Sequence, residues 1–208
     1  MNFLGHVVGK SGLRVDPKKV SVVKDWPVPQ NRLQVLSFLG FAKYFRRFIF
    51  GFAKLVNPLR HVSKESVKFA WTAECRESFD GVRDALCNAP VLTLPDLSKR
   101  FEVVCDACGM GVGAVLLQDG RPVAFEGKSL TDAEKRYHVG EQELLAVVHA
   151  LELWRCYLQG AEFTVVTDHS PNTFFETKKT LSLRQGRWAD GQKSCQSTSL
   201  CGNTDLDG

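Results

Sequence analysis

Hydrophobic positions in the first half of the chain follow a helical period. Between residues 33 and 48 apolar side chains recur every three to five positions, which is typical of one face of a helix. The same period returns over residues 73–87, and Asp16, Asn31 and Thr72 stand where helix N-caps are expected. The start of the chain alternates weakly between apolar and polar positions. We therefore predict a mostly helical first half that opens with a hairpin.

A strand-like pattern replaces the helical one after residues 95–98, a turn-rich segment that predicts a domain boundary. A capping-box pair, Thr131 and Glu134, predicts a helix that is interrupted near residues 139–140 and runs on to Leu158. The β-prone segments lie at residues 101–106, 111–118, 121–127 and 163–167. The sequence therefore predicts an α/β domain with a mixed sheet, in which the first three strands are antiparallel and the fourth is parallel to the first.

The last part of the chain, residues 190–208, is rich in Ser, Thr, Asn and Gly and nearly free of apolar residues. Such a segment cannot bury a hydrophobic face, so we predict that it is disordered. The predicted organisation is thus a helical region over residues 1–95, an α/β domain over residues 96–189 and this tail. We expect the fourth strand of the sheet to leave an open edge, because no further strand is predicted.

The net charge of +4 conceals two oppositely charged halves. Residues 1–100 carry 17 basic and 8 acidic side chains, whereas residues 101–208 carry 10 basic and 15 acidic ones. A basic half suits contact with a polyanion, and an acidic half suits the binding of divalent cations. Ordinary solvated faces give the same counts by chance, so charge alone does not decide between these interpretations.

Cysteine content and hydropathy indicate the cellular compartment in which the protein is expected. The chain has 7 cysteines, and an odd number argues against a disulfide framework. Cys105 and Cys108 form a C-x-x-C pair, for which buried thiols are a simpler explanation than metal or redox chemistry. No apolar run is long enough to span a membrane, and the start of the chain lacks the features of a signal peptide. We therefore expect no membrane partner and a cytoplasmic or nuclear location.

Three acidic residues stand at or near the ends of predicted elements. Asp106 ends the first strand, Asp168 ends the fourth, and Glu143 lies on the long helix. If the two strands are parallel neighbours, both aspartates emerge at one sheet edge, and a helix across the sheet can bring Glu143 to them. Hard divalent cations relieve the repulsion between such carboxylates. Acidic residues also cap turns and cover solvated helix faces. From these residues alone, a metal site and such an ordinary structural role are both open hypotheses.

Several blocks of the second half occur in an order that is typical of one family. They are residues 101–107 (FEVVCDA), 111–118 (GVGAVLLQ), 122–125 (PVAF), 143–148 (ELLAVV), 154–160 (WRCYLQG) and 167–169 (TDH). These blocks resemble the ribonuclease H (RNase H) domain in the Pol polyproteins of gypsy-type LTR retrotransposons. In the first half, residues 3–6 (FLGH) resemble the primer-grip hairpin that ends a reverse transcriptase palm, and residues 37–49 resemble the thumb helix.

This resemblance implies both a fold and an activity. The fold is an RNase H-like mixed sheet with flanking helices, preceded by a mostly helical reverse transcriptase thumb. The activity is metal-dependent endonucleolytic cleavage of RNA in RNA–DNA hybrids, with two Mg²⁺ (or Mn²⁺) ions held by Asp106, Glu143 and Asp168. The implied partners are an RNA–DNA hybrid or another nucleic-acid duplex and the rest of the Pol polyprotein.

The thumb resemblance also singles out three basic residues. Lys43, Arg46 and Arg47 lie in the last turns of the predicted thumb helix. We expect them to contact phosphates of a bound duplex without regard to base sequence. Positive charge at a helix C-terminus is also favoured by the helix dipole alone, so a solvated helix end is the alternative.

Two departures from the family favour a second function. The polymerase metal motif Tyr-x-Asp-Asp does not occur in the sequence, so we expect no DNA synthesis. The match stops at Ala189-Asp190, before the last strand and helix and the block that bears a fourth carboxylate in the family. The alternative function is therefore a catalytically inactive remnant that at most binds nucleic acid.

Overall fold

The computed structural model describes residues 1–167 and 198–202. The chain opens with a three-stranded antiparallel sheet made of β1 (Asn2–Phe3), β2 (His6–Gly9) and β3 (Gly12–Val15). The helices that follow are α1 (Pro17–Lys24), α2 (Arg32–Tyr44), α3 (Phe52–Leu55), α4 (Asn57–Val62) and α5 (Ala73–Cys87), with a 3-10 turn at Arg46–Phe48. We call β1 to α5 the helical lobe. Its hairpin and its helical character confirm the prediction.

Local side-chain hydrogen bonds start the long helices of this lobe. All three predicted N-caps accept a backbone N–H from the first turn: Asp16 from Lys18 (2.9 Å), Asn31 from Gln34 (3.0 Å) and Thr72 from Cys75 (3.3 Å). The apolar faces then pack on one another, and the rings of Phe38 in α2 and Phe79 in α5 lie 4.6 Å apart by their centroids. Both rings are fully buried, so aromatic packing holds this core together.

The second half forms a mixed sheet with the order β6-β5-β4-β7-β8. Its strands are β4 (Phe101–Cys108), β5 (Gly111–Gln118), β6 (Arg121–Ser129), β7 (Phe163–Thr167) and β8 (Thr198–Gly202). Strands β4, β5 and β6 are antiparallel neighbours, and β7 runs parallel to β4, which confirms the predicted strand arrangement. We call β4 to β8, with the helices between β6 and β7, the sheet lobe.

Helix α6 (Val139–Leu153) covers this sheet, and the short helix α7 (Arg155–Leu158) follows it. Residues 142–148 of α6 are all buried, because the helix is apolar nearly all round and packs against β4 and β5. The sheet lobe has its own hydrophobic core, which is distinct from that of the helical lobe. Within residues 1–167 and 198–202, no helix has the length and apolar character needed to cross a bilayer.

The expected open edge on the fourth strand is wrong. Residues Thr198–Gly202, which belong to the predicted disordered tail, form β8 and pair with β7 in parallel. The physical reason is that the outer edge of a strand presents unpaired N–H and C=O groups, which any extended segment can satisfy. Pairing of this kind depends on backbone groups, so the polar composition of the tail did not predict it.

The capping box forms, but it opens a 3-10 turn (Glu134–Arg136) instead of a helix. Thr131 N–H donates to Glu134 Oε2 at 2.7 Å, and Glu134 N–H donates to Thr131 Oγ1 at 3.3 Å. After the turn, the buried Gln142 amide donates to three carbonyl oxygens of this segment, those of Glu134, Lys135 and Tyr137. His138 then caps α6, so the interruption lies just before residues 139–140.

The two lobes meet along a seam between β6 and the segment from the 3-10 turn to α4. The rings of Phe50 and Phe125 lie edge to face with centroids 6.2 Å apart, and an Arg60 guanidinium N–H donates to Ser129 Oγ at 2.6 Å. Gly127 lets α3 approach the strand, because a Cβ there would lie 3.1 Å from the backbone nitrogen of Ala53. The seam therefore combines ring contact, a hydrogen bond and close backbone approach.

Two glycines provide a matched test of this fold. Gly12 has φ +124°, and a Cβ there would overlap the Leu92 carbonyl oxygen, whereas a Cβ at Gly40 within α2 would meet nothing within 4 Å. We expect Gly12→Ala to lower the free energy of unfolding by about 2 kcal/mol or more. Gly40→Ala should raise it by up to about 1 kcal/mol, since Ala is the better helix former. Urea denaturation followed by circular dichroism measures both, and equal stability of the Gly12→Ala chain would contradict the placement of β3.

Candidate functional site

Asp106 lies on β4, opposite Gly113 of β5, and its side chain is exposed. The strand continues two residues beyond it to Cys108, so Asp106 lies near the end of the strand and not at the end itself. Within the described residues, the last pair of the parallel ladder between β4 and β7 is Cys105 and Thr167. The β4 backbone groups that follow this pair, at residues 106–108, include one that donates to a side chain.

Glu143 uses one of these backbone groups. Its carboxylate lies in α6, is only 2% exposed, and accepts the N–H of Ala107 at Oε1 over 3.1 Å. Burial of a carboxylate is costly without such a partner, so the hydrogen bond both stabilises Glu143 and fixes its position. Because Ala107 directly follows Asp106, the structure brings two of the three predicted carboxylates to the same stretch of β4.

The third predicted ligand, Asp168, lies outside the described residues. It directly follows Thr167, the last described residue of β7, and its approach to Asp106 stays a prediction. Within the described part of the chain, no group of three or more His, Cys, Asp or Glu side chains is arranged to hold a metal ion. A complete three-carboxylate site therefore depends on Asp168.

The pKa of the buried Cys105 thiol reflects the electrostatics of this region. Burial raises the pKa of Cys105 from 9.0 to about 12, and the negative charges of Glu143 and then Asp106 add to the rise. Both carboxylates therefore lie close enough to Cys105 to affect the pKa of its thiol. The result is an inert thiol beside a locally negative potential, which agrees with the interpretation of Cys105 as a structural residue.

The three predicted phosphate-binding residues differ in their surroundings. Lys43 is exposed in the last turn of α2, whereas Arg46 and Arg47 are partly buried in the 3-10 turn. Arg46 Nε lies 3.3 Å from Glu126 Oε2, and this carboxylate of β6 is only 7% exposed. His149 of α6 approaches the same carboxylate, with 3.6 Å between Nε2 and Oε1. Arg46 is therefore an ion-pair partner across the seam, which its place beside Lys43 and Arg47 did not indicate.

Sequence reasoning missed Glu126 and His149. Glu126 occupies a strand between Phe125 and Gly127, and His149 occupies the apolar helix α6. A polar or ionisable residue in each of these apolar settings was the available signal. The partner Arg46 is distant in sequence, so nothing local identifies the pairing.

The electrostatics of Cys105 lead to a labelling prediction. In the folded chain at about pH 8, iodoacetamide should modify the exposed Cys156 and leave the buried Cys105 unmodified. The raised pKa of Cys105 also predicts how the free energy of unfolding changes with pH. Above the ordinary value of 9.0 the thiol ionises in the unfolded chain but not in the folded one, so stability should fall as pH rises toward about 12. Peptide mass spectrometry reads the labelling, and rapid alkylation of Cys105 in the folded chain would show that the site is open.

Comparisons with known proteins agree with this geometry. The family model described as the RNase H-like domain found in reverse transcriptase matches residues 71–165. The match begins at Trp71 and so includes α5, ahead of the boundary predicted at residues 95–98. The family therefore covers the strands β4 to β6, the helix α6 and most of β7.

Curated relatives are Pol polyproteins of transposons. The chain is 35% identical over 188 residues to the retrovirus-related Pol polyprotein from transposon 297 of Drosophila melanogaster, with 90% of this chain and 18% of that protein covered. It is 36% identical over 203 residues to the retrovirus-related Pol polyprotein from transposon gypsy of the same organism, with 90% of this chain and 19% of that protein covered. It is 31% identical over 176 residues to the transposon Tf2-3 polyprotein of Schizosaccharomyces pombe, with 81% and 13% covered. The chain thus spans about a fifth or less of the length of these relatives.

Solved structures confirm the fold. The foamy viral protease-reverse transcriptase dRH in complex with double-stranded DNA superposes with a TM-score of 0.83 at 20% identity, over 100% of this chain and 38% of the viral chain. The same type of protein in complex with an RNA/DNA hybrid gives 0.82 at 19% identity, with 99% and 29% covered. The chain is therefore similar to one segment of the Pol polyproteins of LTR retrotransposons, and its residues 71–165 belong to the RNase H-like domain found in reverse transcriptase.

Proposed function

We propose that this chain is the thumb and RNase H-like part of a retrotransposon reverse transcriptase, that it binds RNA–DNA hybrids, and that Asp106, Glu143 and Asp168 form its metal-binding set. Residues 1–95 then correspond to the end of the palm and the thumb, and residues 96–189 to the RNase H-like domain. The observation that carries the proposal is the hydrogen bond from Ala107 N–H to Glu143, because it places a buried carboxylate on α6 next to the strand position of Asp106.

The donor chemistry of the described residues fits a hard divalent cation. Carboxylate oxygens are the protein ligands that Mg²⁺ and Mn²⁺ prefer, and both Asp106 and Glu143 supply them. A bound cation supplies Lewis acidity toward the oxygens of a phosphodiester. Glu143 is buried and accepts a hydrogen bond from a backbone N–H, whereas Asp106 is exposed and accessible to a ligand from solvent. The fixed and the accessible carboxylate have complementary roles, since one sets the position of the site and the other opens it to substrate.

Binding of a hybrid is supported by charge and by the neighbours in structure. The first 100 residues carry a net charge of +9, and cationic surfaces bind nucleic-acid backbones with little regard to sequence. The foamy viral proteins that share the fold were solved with double-stranded DNA and with an RNA/DNA hybrid. Recognition of the RNA strand in this class of ligand rests on its 2′-hydroxyls and on backbone geometry.

A second candidate is a catalytically inactive remnant that retains only nucleic-acid binding. It is supported by the sequence, which lacks the block with the fourth carboxylate that the family resemblance implies. The loss of one ligand weakens one of two metal sites, and removal of a single charge-stabilising group from an active site commonly slows a reaction by roughly 100-fold or more. The two candidates share the binding surface and differ only in the rate of hydrolysis.

Cleavage of a labelled RNA–DNA hybrid tests the metal-binding set. With Mg²⁺ or Mn²⁺ we expect the 208-residue chain to cleave at least about 100-fold more slowly than a complete retrotransposon reverse transcriptase measured beside it. Asp106→Asn and Glu143→Gln should abolish any residual cleavage and weaken Mn²⁺ binding measured by electron paramagnetic resonance. Asp119→Asn is the matched control, because this exposed aspartate lies in the β5–β6 turn, where Asn is equally suited. A rate equal to the complete enzyme overturns the inactive candidate, and Mn²⁺ binding unaffected by both variants overturns the proposed ligands.

The salt dependence of hybrid binding tests the basic residues. We expect Lys43→Ala with Arg47→Ala to reduce the slope of log K against log salt by up to about 2, because each lost phosphate contact removes roughly 0.9. Arg46→Ala should change stability more than this slope, since Arg46 is paired with Glu126. Lys24→Ala, in the last turn of α1, is the control. If the slope of the double variant equals that of the control, Lys43 and Arg47 do not contact phosphates.

A further inference from the structure

A cavity of about 370 Å³ lies in the seam between the two lobes. Its walls come from α2, the 3-10 turn, α3 and α4 on one side and from β6 and α6 on the other. The lining also includes apolar residues such as Phe52 and Val56. The cavity is separate from the carboxylate site on β4, but Lys43 and Arg46, two of the basic residues considered for duplex binding, belong to its lining.

Positive charge dominates the lining of this cavity. Four cationic side chains line it (Lys43, Arg46, Arg60 and Lys128), and Glu126 is the acidic residue among the lining residues. Glu126 is shared by Arg46 and His149, and Lys128 pairs over 2.8 Å with Glu134, which does not line the cavity.

Two of these cations have no acidic partner among the described residues. Arg60 donates a hydrogen bond to the Ser129 hydroxyl at 2.6 Å, and this bond leaves its charge uncompensated. Within residues 1–167 and 198–202, Lys43 takes part in none of the ion pairs. Like charges that face one cavity from both lobes repel each other across the seam. Lys43 and Arg60 are both exposed, so an anion in the cavity can reach their charged groups.

We propose that this cavity binds a small multivalent phosphate anion of the size of pyrophosphate. Guanidinium groups and ammonium groups bind phosphate oxygens through charge-assisted hydrogen bonds, and the Ser129 hydroxyl adds a neutral donor. A cavity of about 370 Å³ accommodates a diphosphate but is far too narrow for a nucleic-acid duplex. The bound anion bridges Lys43 and Arg60 of the helical lobe to Lys128 of β6, so it stabilises the contact between the lobes.

Titration with pyrophosphate in the presence of a chelator of divalent cations tests the site. We expect saturable one-to-one binding by calorimetry and a rise in the midpoint of thermal unfolding, neither of which chloride at matched ionic strength reproduces. Arg60→Gln and Lys128→Gln should each weaken binding about tenfold or more, because each removes a charge-assisted contact. Arg60→Lys keeps the charge and should retain most of the affinity. Lys24→Gln, which lies outside the cavity, should bind like the original chain.

The remaining outcomes overturn the proposal. Absence of pyrophosphate binding by the folded original chain rejects the site. Binding that neither Arg60→Gln nor Lys128→Gln weakens shows an adventitious ion elsewhere on the surface. If an RNA–DNA hybrid competes with pyrophosphate and Arg60→Gln weakens both ligands equally, the cavity wall belongs to the duplex-binding surface. None of these results bears on the carboxylates of β4, so failure here leaves the proposed metal-binding set unaffected.

Discussion

The buried carboxylate of Glu126 is the constraint on which the arrangement of the two lobes depends. A carboxylate in the middle of a strand is costly to bury unless a cation accompanies it, and Arg46 of the helical lobe provides that cation. The pairing therefore specifies where the 3-10 turn must lie against β6. The next residue, Gly127, allows α3 to come close enough for this contact. Buried pairs of this kind specify position more than they add stability.

Helix α6 connects this seam to the candidate metal site. His149 approaches Glu126 of β6, and Glu143 accepts the N–H of Ala107 on β4. The two residues are six positions apart, which corresponds to about 9 Å along the helix axis. The helix thus brings two polar side chains to the sheet within an otherwise apolar interface, one at the seam and one at the candidate metal site.

Features with local determinants could be predicted from the sequence, and features with distant determinants could not. The N-cap of α5 was predicted because Thr72 sits directly before an apolar helical period. The arrangement of the strands was predicted from the β-prone segments together with the family resemblance. The Arg46–Glu126 pair was missed, since the two residues are far apart in sequence and Arg46 stands beside Lys43 and Arg47. Strand β8 was missed because backbone pairing at an open edge leaves no side-chain pattern.

The charge distribution explains why a divalent cation matters for more than chemistry in the proposed function. In that proposal the basic helical lobe would attract a nucleic-acid backbone, but a phosphodiester that approaches Asp106 and Glu143 would meet two carboxylates on adjacent elements. Repulsion between like charges is strong where one of the carboxylates is buried, because water screens it poorly there. A cation held by the carboxylates would reverse the sign of that local field. Binding of the hybrid by the helical lobe and access of its phosphates to β4 would then be separate steps, and only the second would require the metal.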